Sequence, residues 1–338
     1  MSDSKLKATM YAFMAAVFYA LNIPLSKLLL KNISPVFMAA VLYIGAGLGV
    51  GIMYIFNRKN KQEQLSKKDL PYVISMIVLD SIAPIFLMEG VNLAASSCAS
   101  LIGNFEIVAT ALLAMLFFHE KISGVLWLAI SLITLSGLII SYDGDEVWIF
   151  SQGALLIILA TLCWGLENNC TRIISNKDTY QIVTVKGICS GLCSMITAII
   201  IHEKVPDLRY IFPALLLGFV AYGLSIFTYV RAQKTLGAAK TSAYYSAAPF
   251  IGAIFSFVIL REPFSIRYFI AFFIMAAGTL LVIQDTLKQS HTHKHRHVTT
   301  YVQGGAVHIH VITHAHVHNH YLNINRHVHE HTEHTATH

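Results

Sequence analysis

Leu162-Cys-Trp-Gly-Leu-Glu-Asn-Asn-Cys-Thr-Arg172 ends an apolar run, Gly153–Leu162, that is greasy enough for the centre of a bilayer, yet the stretch carries a carboxylate, two amides and a guanidinium. Such groups are costly in a lipid-buried helix unless they face protein or water. What surrounds Glu167, Asn168 and Asn169 therefore decides what kind of helix this is and what kind of protein holds it.

The rest of the chain makes the membrane reading general. Its 338 residues are 55% hydrophobic and only 12% charged, with a mean hydropathy of +0.60, whereas a soluble domain is about a quarter charged. The net charge of +6 comes from Lys and Arg scattered in short pieces between apolar runs. No basic stripe or RNA-binding motif is present, so nucleic acid is not the expected partner and the positive charge reads as membrane topology. The five cysteines (Cys98, Cys163, Cys170, Cys189, Cys193) lie inside apolar runs, odd in number and without zinc-finger spacing, and read as small core residues. Lys5 and Lys7 ahead of an apolar run resemble a signal peptide, but Tyr19–Lys27 offers no small-x-small cleavage site, so this run reads as a first span.

A helix needs about 20 apolar residues to cross a bilayer. Ten candidates follow, at about 8–29, 35–56, 70–90, 95–118, 122–141, 153–174, 180–201, 210–232, 238–260 and 264–284. Backbone groups must be satisfied internally in lipid, so helices are expected. With both termini inside, the inner loops hold Arg58, Lys59, Lys61, Lys67, Lys68, Lys121, Arg172, Lys177, Arg231, Lys234 and Lys240, and the acidic Asp143-Gly-Asp-Glu146 falls outside. That imbalance satisfies the positive-inside rule, and Tyr142 and Trp148 suit an interfacial belt.

The sequence also repeats itself. Glu106–Ser123 aligns with Ala248–Ser265, matching Glu120 to Glu262 and Ser123 to Ser265; Leu93–Ser100 resembles Leu236–Ala243; and Tyr19–Lys27 matches Trp164–Arg172. Each copy holds five expected spans, and five is odd, so the second copy is expected to be inverted. Asn22 then aligns with Glu167 and Pro24 with Asn169, giving each copy's first helix a polar break, with Pro24 removing a backbone donor. Inverted repeats with polar or broken helices near the midplane are the pattern of secondary transporters.

On these residues, with a fourth helix ending in Phe117-Phe-His-Glu-Lys121 or Ile259-Leu-Arg-Glu-Pro263, residues 8–285 resemble the EamA-type transporters of the drug/metabolite transporter superfamily. The resemblance implies ten helices, cytoplasmic termini, and alternating-access movement of small amino-acid-like or drug-like metabolites, in many members outward. Pro249 stands where the family often has a proline; Glu106-Ile107 replaces it in the first copy. The expected layout is a first repeat at 1–145, a second at 146–287 and a cytoplasmic tail at 288–338, in an all-α integral membrane protein of the cell membrane.

Asp80 and Glu106 are mid-span carboxylates, and each reads either as a substrate or proton group or as a carboxylate satisfied by neighbouring helices. Lys186 has three roles open: binding a substrate carboxylate, neutralising these acids, or reaching the interface. Tyr244 and Tyr245 face a cavity or form an apolar wall. Asn22, Trp164, Glu167, Asn168 and Asn169 complete the expected substrate or proton site. Glu120 and Glu262 read as capping or interface residues, and Gly45-Ala-Gly-Leu-Gly-Val-Gly51 as a close helix contact rather than a nucleotide loop. His119-Glu120 and His202-Glu203 lack a second His, and no catalytic constellation is present.

From Ser290 the character changes, and the tail holds 15 of the 17 histidines. His291, His293, His295 and His297, then His308, His310, His314, His316, His318 and His320, then His327, His329 and His331 follow a period of two. Imidazole suits Zn, Ni and Cu, and alternation in an extended chain puts the histidines on one edge. Metal binding, a pH-responsive tail and an extension with no part in transport are the three readings; the first gives an alternative function, a metal-linked transporter. Val298–Thr313 alternates around Gly304-Gly305 and fits a hairpin.

Overall fold

A computed structural model describes residues 3–56, 63–118, 123–141, 151–174, 177–236, 241, 244–263, 265–303 and 306–321, the last part (286–321) by its backbone. The expected features at Glu120, Lys121, Tyr142–Glu146, Trp148, Lys240, His327, His329 and His331 lie outside the described residues, as does the side chain of Arg172.

The body is helical. In chain order it comprises α1 (Asp3–Ala20), α2 (Asn22–Leu29), α3 (Pro35–Phe56), α4 (Leu70–Leu93), α5 (Ser96–Ile102), α6 (Phe105–Phe118), α7 (Gly124–Ser141), α8 (Gln152–Ile174), α9 (Thr179–Ile200), α10 (Leu208–Gly218), a π-helical turn (Phe219–Leu224), α11 (Ser225–Leu236), α12 (Ala248–Leu260) and α13 (Ile266–Leu287). Among the described residues, seven helices are long and apolar enough to cross a membrane: Leu6–Leu29, Pro35–Phe56, Lys67–Leu93, Gln152–Thr171, Thr179–Ile200, Leu208–Ala232 and Ile266–Asp285. Gly124–Ile139 and Ala248–Leu260 are shorter apolar helices. The segment expected as one span at 95–118 is divided between α5 and α6 by a turn at Gly103-Asn104.

The outside of these helices is apolar, with Leu48, Ile52, Ile196, Val258 and Phe273 exposed, while Asn22, Asp80, Glu167 and Lys186 are buried. This is the arrangement lipid demands: apolar surface outward, polar groups facing protein. With seven helices among the described residues long and apolar enough to cross a membrane, the chain is a multi-pass membrane protein.

Small residues set the packing. α3 lies against α9, where a Cβ on Gly47 would stand 2.5 Å from the Ile188 nitrogen and one on Gly191 would stand 2.7 Å from the Ile44 nitrogen. Gly45 meets Leu215, and Gly218 meets Leu42, in the same close manner. The glycine run is thus a packing surface, where the lack of side chains lets backbones approach. Two further helix pairs flank it: α4 packs on α8, and α1 packs on α11.

Helix ends are closed by side chains from distant segments. Glu203 accepts from the amides of Val36 (3.2 Å) and Phe37 (2.8 Å) at the start of α3, and Glu262 accepts from those of Ser96 (2.7 Å) and Ser97 (2.9 Å) at the start of α5. A carboxylate there meets both the orphan N–H groups and the positive end of the helix dipole. The aligned residues Ser123 and Ser265 do the same job in their copies, accepting from Leu126 N (3.0 Å) and Tyr268 N (3.1 Å). Lys27 closes the other kind of end, donating to the carbonyls of Val91, Asn92 and Ala94 at the end of α4.

The chain forms two compact units, Met1–Val282 and Ile283–His338. In the second, Lys288–Gln303 and Ala306–Tyr321 form two antiparallel strands, β1 and β2, with Gln303 opposite Ala306 across Gly304-Gly305.

Candidate functional site

The polar stretch that ends α8 faces protein. Glu167 is buried, and its carboxylate meets Lys186 Nζ of α9 at 3.0 Å and accepts from the Thr171 hydroxyl one turn on. Lys186 also meets Asp80 Oδ2 of α4 at 2.8 Å, and the other Asp80 oxygen accepts from Tyr43 OH of α3 at 2.9 Å. Trp164 Nε1, one turn before Glu167, donates to that same phenol at 3.4 Å. Four helices, α3, α4, α8 and α9, therefore supply one ionic cluster. Of the three roles open to Lys186, neutralising buried acids is the one observed.

A neutral network adjoins it. Asn22 Nδ2 donates to Tyr222 OH at 2.8 Å, and Asn22 Oδ1 accepts from Ser26 Oγ at 3.1 Å. The Tyr222 ring lies 5.0 Å from that of Tyr43, tilted by 47°, which joins the two networks through packed phenols. Tyr19 packs on both Tyr222 (5.8 Å) and Tyr245 (5.7 Å), and Tyr245 on Tyr229 (5.1 Å). Glu106, half-buried at the start of α6, accepts from Asn168 Nδ2 at 2.7 Å. Asp80, Glu167 and Glu106 against Lys186 leave these charges with an excess of carboxylate.

The local sequence explains the placement. Pro24 cannot donate to the Ala20 carbonyl, and the helix is interrupted at Leu21, ahead of Asn22. The π-helical turn at Phe219–Leu224 carries Tyr222; such turns add a residue to the helical ladder and occur frequently at functional sites. Gly103-Asn104 and Ser246-Ala247 form turns ahead of α6 and α12, at corresponding places in the two copies. These interruptions come together: a Cβ on Gly252 would meet Ala20 O and Ser100, and one on Gly103 would approach Pro249. Beside them the Asn104 side chain is buried, and among the described residues neither its Oδ1 nor its Nδ2 has a hydrogen-bond partner.

One expectation needs correction. The first helix of the second copy has no break, because α8 is continuous from Gln152 to Ile174. Asn169 stands where the first copy has Pro24 and keeps its backbone donor; its side chain donates to Gly165 O at 2.8 Å, within its own helix. Of the two readings open to Tyr244, the apolar wall is the one observed: it is exposed on a shallow apolar surface with Thr9, Met10, Phe13 and Met14. Tyr19, Tyr43, Tyr222, Ser26 and Thr171 went unread in the sequence. Ser26 and Thr171 follow Asn22 and Glu167 by four residues, one helical turn, and that spacing was the available signal. Tyr43 and Tyr222 carried none beyond being aromatic residues in apolar runs. Among the described side chains, no group of three or more His, Cys, Asp or Glu is placed to hold a metal ion.

Comparison with known proteins agrees with this architecture. The chain is 29% identical over 287 residues to an uncharacterized transporter of Methanothermobacter thermautotrophicus, covering 79% of this chain and 83% of that protein. It is 24% identical over 255 residues to the uncharacterized transporter YyaM of Bacillus subtilis, covering 72% and 83%. A solved structure described only as a crystal structure of a protein superposes with a TM-score of 0.62 at 16% identity, over 81% of this chain and 95% of that one, and shares the fold. The pattern that defines the EamA-like transporter family matches twice, at residues 6–142 and 151–284, and the chain accordingly belongs to that family.

Proposed function

We propose that this chain is a secondary transporter that moves small amino-acid-like solutes by alternating access, with its site where the two family repeats meet. The observation that carries this is Lys186 held between Asp80 and Glu167, a buried ionic cluster built from both repeats. Carboxylates suit a substrate ammonium, Lys186 suits a substrate carboxylate, and the tyrosine rings suit an apolar or cationic body. The cluster also offers a coupling step: a proton arriving on Asp80 or Glu167 weakens that carboxylate's hold on Lys186 and frees the ammonium for a ligand.

The reading takes the chain as ten spans in two inverted repeats, 1–145 and 146–287, with both termini cytoplasmic and outward transport, the direction the family resemblance implies. The helix pairs support a two-fold relation between the repeats. Exchanging first helices and third helices between the repeats turns the α4–α8 pair into the α1–α11 pair, and both are packed. Residues Asn22, Asp80, Glu106, Trp164, Glu167, Asn168, Lys186 and Tyr245 are assigned to the pathway.

The test is reconstitution into proteoliposomes with an imposed pH gradient and a panel of labelled amino acids and amines. Gradient-driven movement of a zwitterion or amine, abolished in Glu167→Gln and Asp80→Asn with both variants folded, is the expected result. Unchanged movement in both variants removes the ionic cluster from the mechanism.

A further inference from the structure

The register of the C-terminal strands assigns the tail a function of its own. Positions paired across the two strands sum to 609, from Lys288 opposite Tyr321 to Gln303 opposite Ala306. Every histidine of β1 (His291, His293, His295, His297) is odd-numbered, and every histidine of β2 (His308, His310, His314, His316, His318, His320) is even-numbered. Odd positions of β1 pair with even positions of β2, and directly paired residues share a face of a sheet. All ten of these histidines therefore belong to one face. Three pairs are histidine opposite histidine: His291 with His318, His293 with His316 and His295 with His314.

We propose that this face is a binding site for divalent first-row cations of the Zn, Ni and Cu kind. Opposed positions have Cβ atoms roughly 5 Å apart and next-but-one positions lie roughly 7 Å apart, so two neighbouring histidine pairs bring four histidine positions of one face together, the ligand number of a four-coordinate cation. The fixed cations Lys294 and Arg296 belong to the opposite face, where they pair with Ala315 and Thr313, and so do not share the histidine face. That opposite face pairs Val298 with Val311, Thr300 with Ile309 and Val302 with Val307 near the turn. A two-stranded hairpin is marginally stable by itself in water, so cations bridging β1 to β2 staple the register that creates their own site.

The test uses the full chain in detergent, purified without a polyhistidine tag, and Zn2+ in equilibrium dialysis with amide hydrogen exchange over 288–321. One cation is expected at the paired positions, because three histidine pairs hold one complete set of two neighbouring pairs, with at least tenfold slower exchange on loading. The decisive variant, T292H/H293T/K294H/H295K, keeps the composition but moves two histidines to the other face. At least a tenfold loss of affinity is expected, and a second variant, H316Q/H318Q, removes the opposing partners and is expected to lose affinity similarly. K294T/R296T alters only the opposite face and is expected to bind as the native chain does. Binding in the face-shifted chain equal to the native chain overturns the proposal in favour of composition alone. So does the absence of Zn2+ binding below millimolar concentration, or binding that survives H316Q/H318Q but is lost in H327Q/H329Q/H331Q.

Discussion

The two copies of the first helix occupy matching places and carry different chemistry. In the first, Asn22 joins the Tyr222 phenol in a neutral contact, and the helix is interrupted one residue earlier. In the second, Glu167 sits in an unbroken helix against Lys186, which also holds Asp80. One repeat has kept the backbone irregularity and the other has kept the charge. A neutral amide–phenol pair carries no charge, whereas the carboxylate–lysine–carboxylate cluster joins three ionisable groups. On the proposed reading, coupling belongs to the charged side and backbone adaptability to the interrupted one.

The most severe challenge to that division is Lys186→Met. It leaves Asp80 and Glu167 buried without their shared cation, and removing one partner of a buried ion pair costs about 3–5 kcal/mol. The melting temperature in detergent is expected to fall sharply. The triple variant D80N/E167Q/K186M removes the charges together and is expected to recover most of the stability while remaining inactive in transport. Recovery of transport in the triple variant would show the cluster to be purely structural.

Making the two helices alike probes the backbone half of the division. Asn169→Pro imposes on α8 the residue that the first copy has at Pro24. An interior proline removes a backbone hydrogen bond and costs about 3 kcal/mol. A large drop in melting temperature is expected, because Glu167 depends on the unbroken helix to meet Lys186. The reverse change, Pro24→Ala, restores a donor where the chain is already interrupted and is expected to leave stability within about 1 kcal/mol. If Pro24→Ala abolishes transport with stability intact, the interruption itself takes part in the motion.

On the neutral side, Tyr222→Phe removes one hydrogen bond to Asn22, a loss of about 1 kcal/mol. Its effect on melting is expected to be several times smaller than that of Lys186→Met, and the pH dependence of transport is expected to be unchanged. A shifted pH profile would place the phenol in the proton path and end the division of labour between the repeats.

Much of this was legible in the chain. Apolar runs of spanning length, the doubled motifs and a carboxylate inside such a run lead to a transporter with Glu167, Asp80, Glu106 and Lys186 in its polar interior, because unpaired charge in lipid is too costly to be placed without use. What the sequence withheld is what three-dimensional packing decides. Tyr43 and Tyr222 are ordinary aromatic residues until helix crossing brings their rings together. Lys186 had three open roles until the approach of α4, α8 and α9 selected one. Asn169 reads like its neighbour Asn168, yet one lies within its own helix and the other reaches Glu106, a distinction set by rotation about the helix axis.

Asn104 provides the smallest stability effect and the most discriminating one. It lies at the turn between α5 and α6, near where the interruption at Leu21 and the turn before α12 converge, and both polar atoms of its side chain are buried without a hydrogen-bond partner among the described residues. Leaving an amide unsatisfied in a protein interior costs about 1–3 kcal/mol, so a purely structural residue here would be better replaced by an apolar one of similar size. Asn104→Leu is therefore expected to leave the melting temperature unchanged or slightly raised. If the amide instead meets the transported solute, the same variant loses transport at least tenfold while folding normally, and Asn104→Gln recovers part of it. Stability gained with transport intact would confine Asn104 to packing and return the pathway to the charged cluster; stability kept with transport lost would extend the pathway from that cluster to the converging helix interruptions.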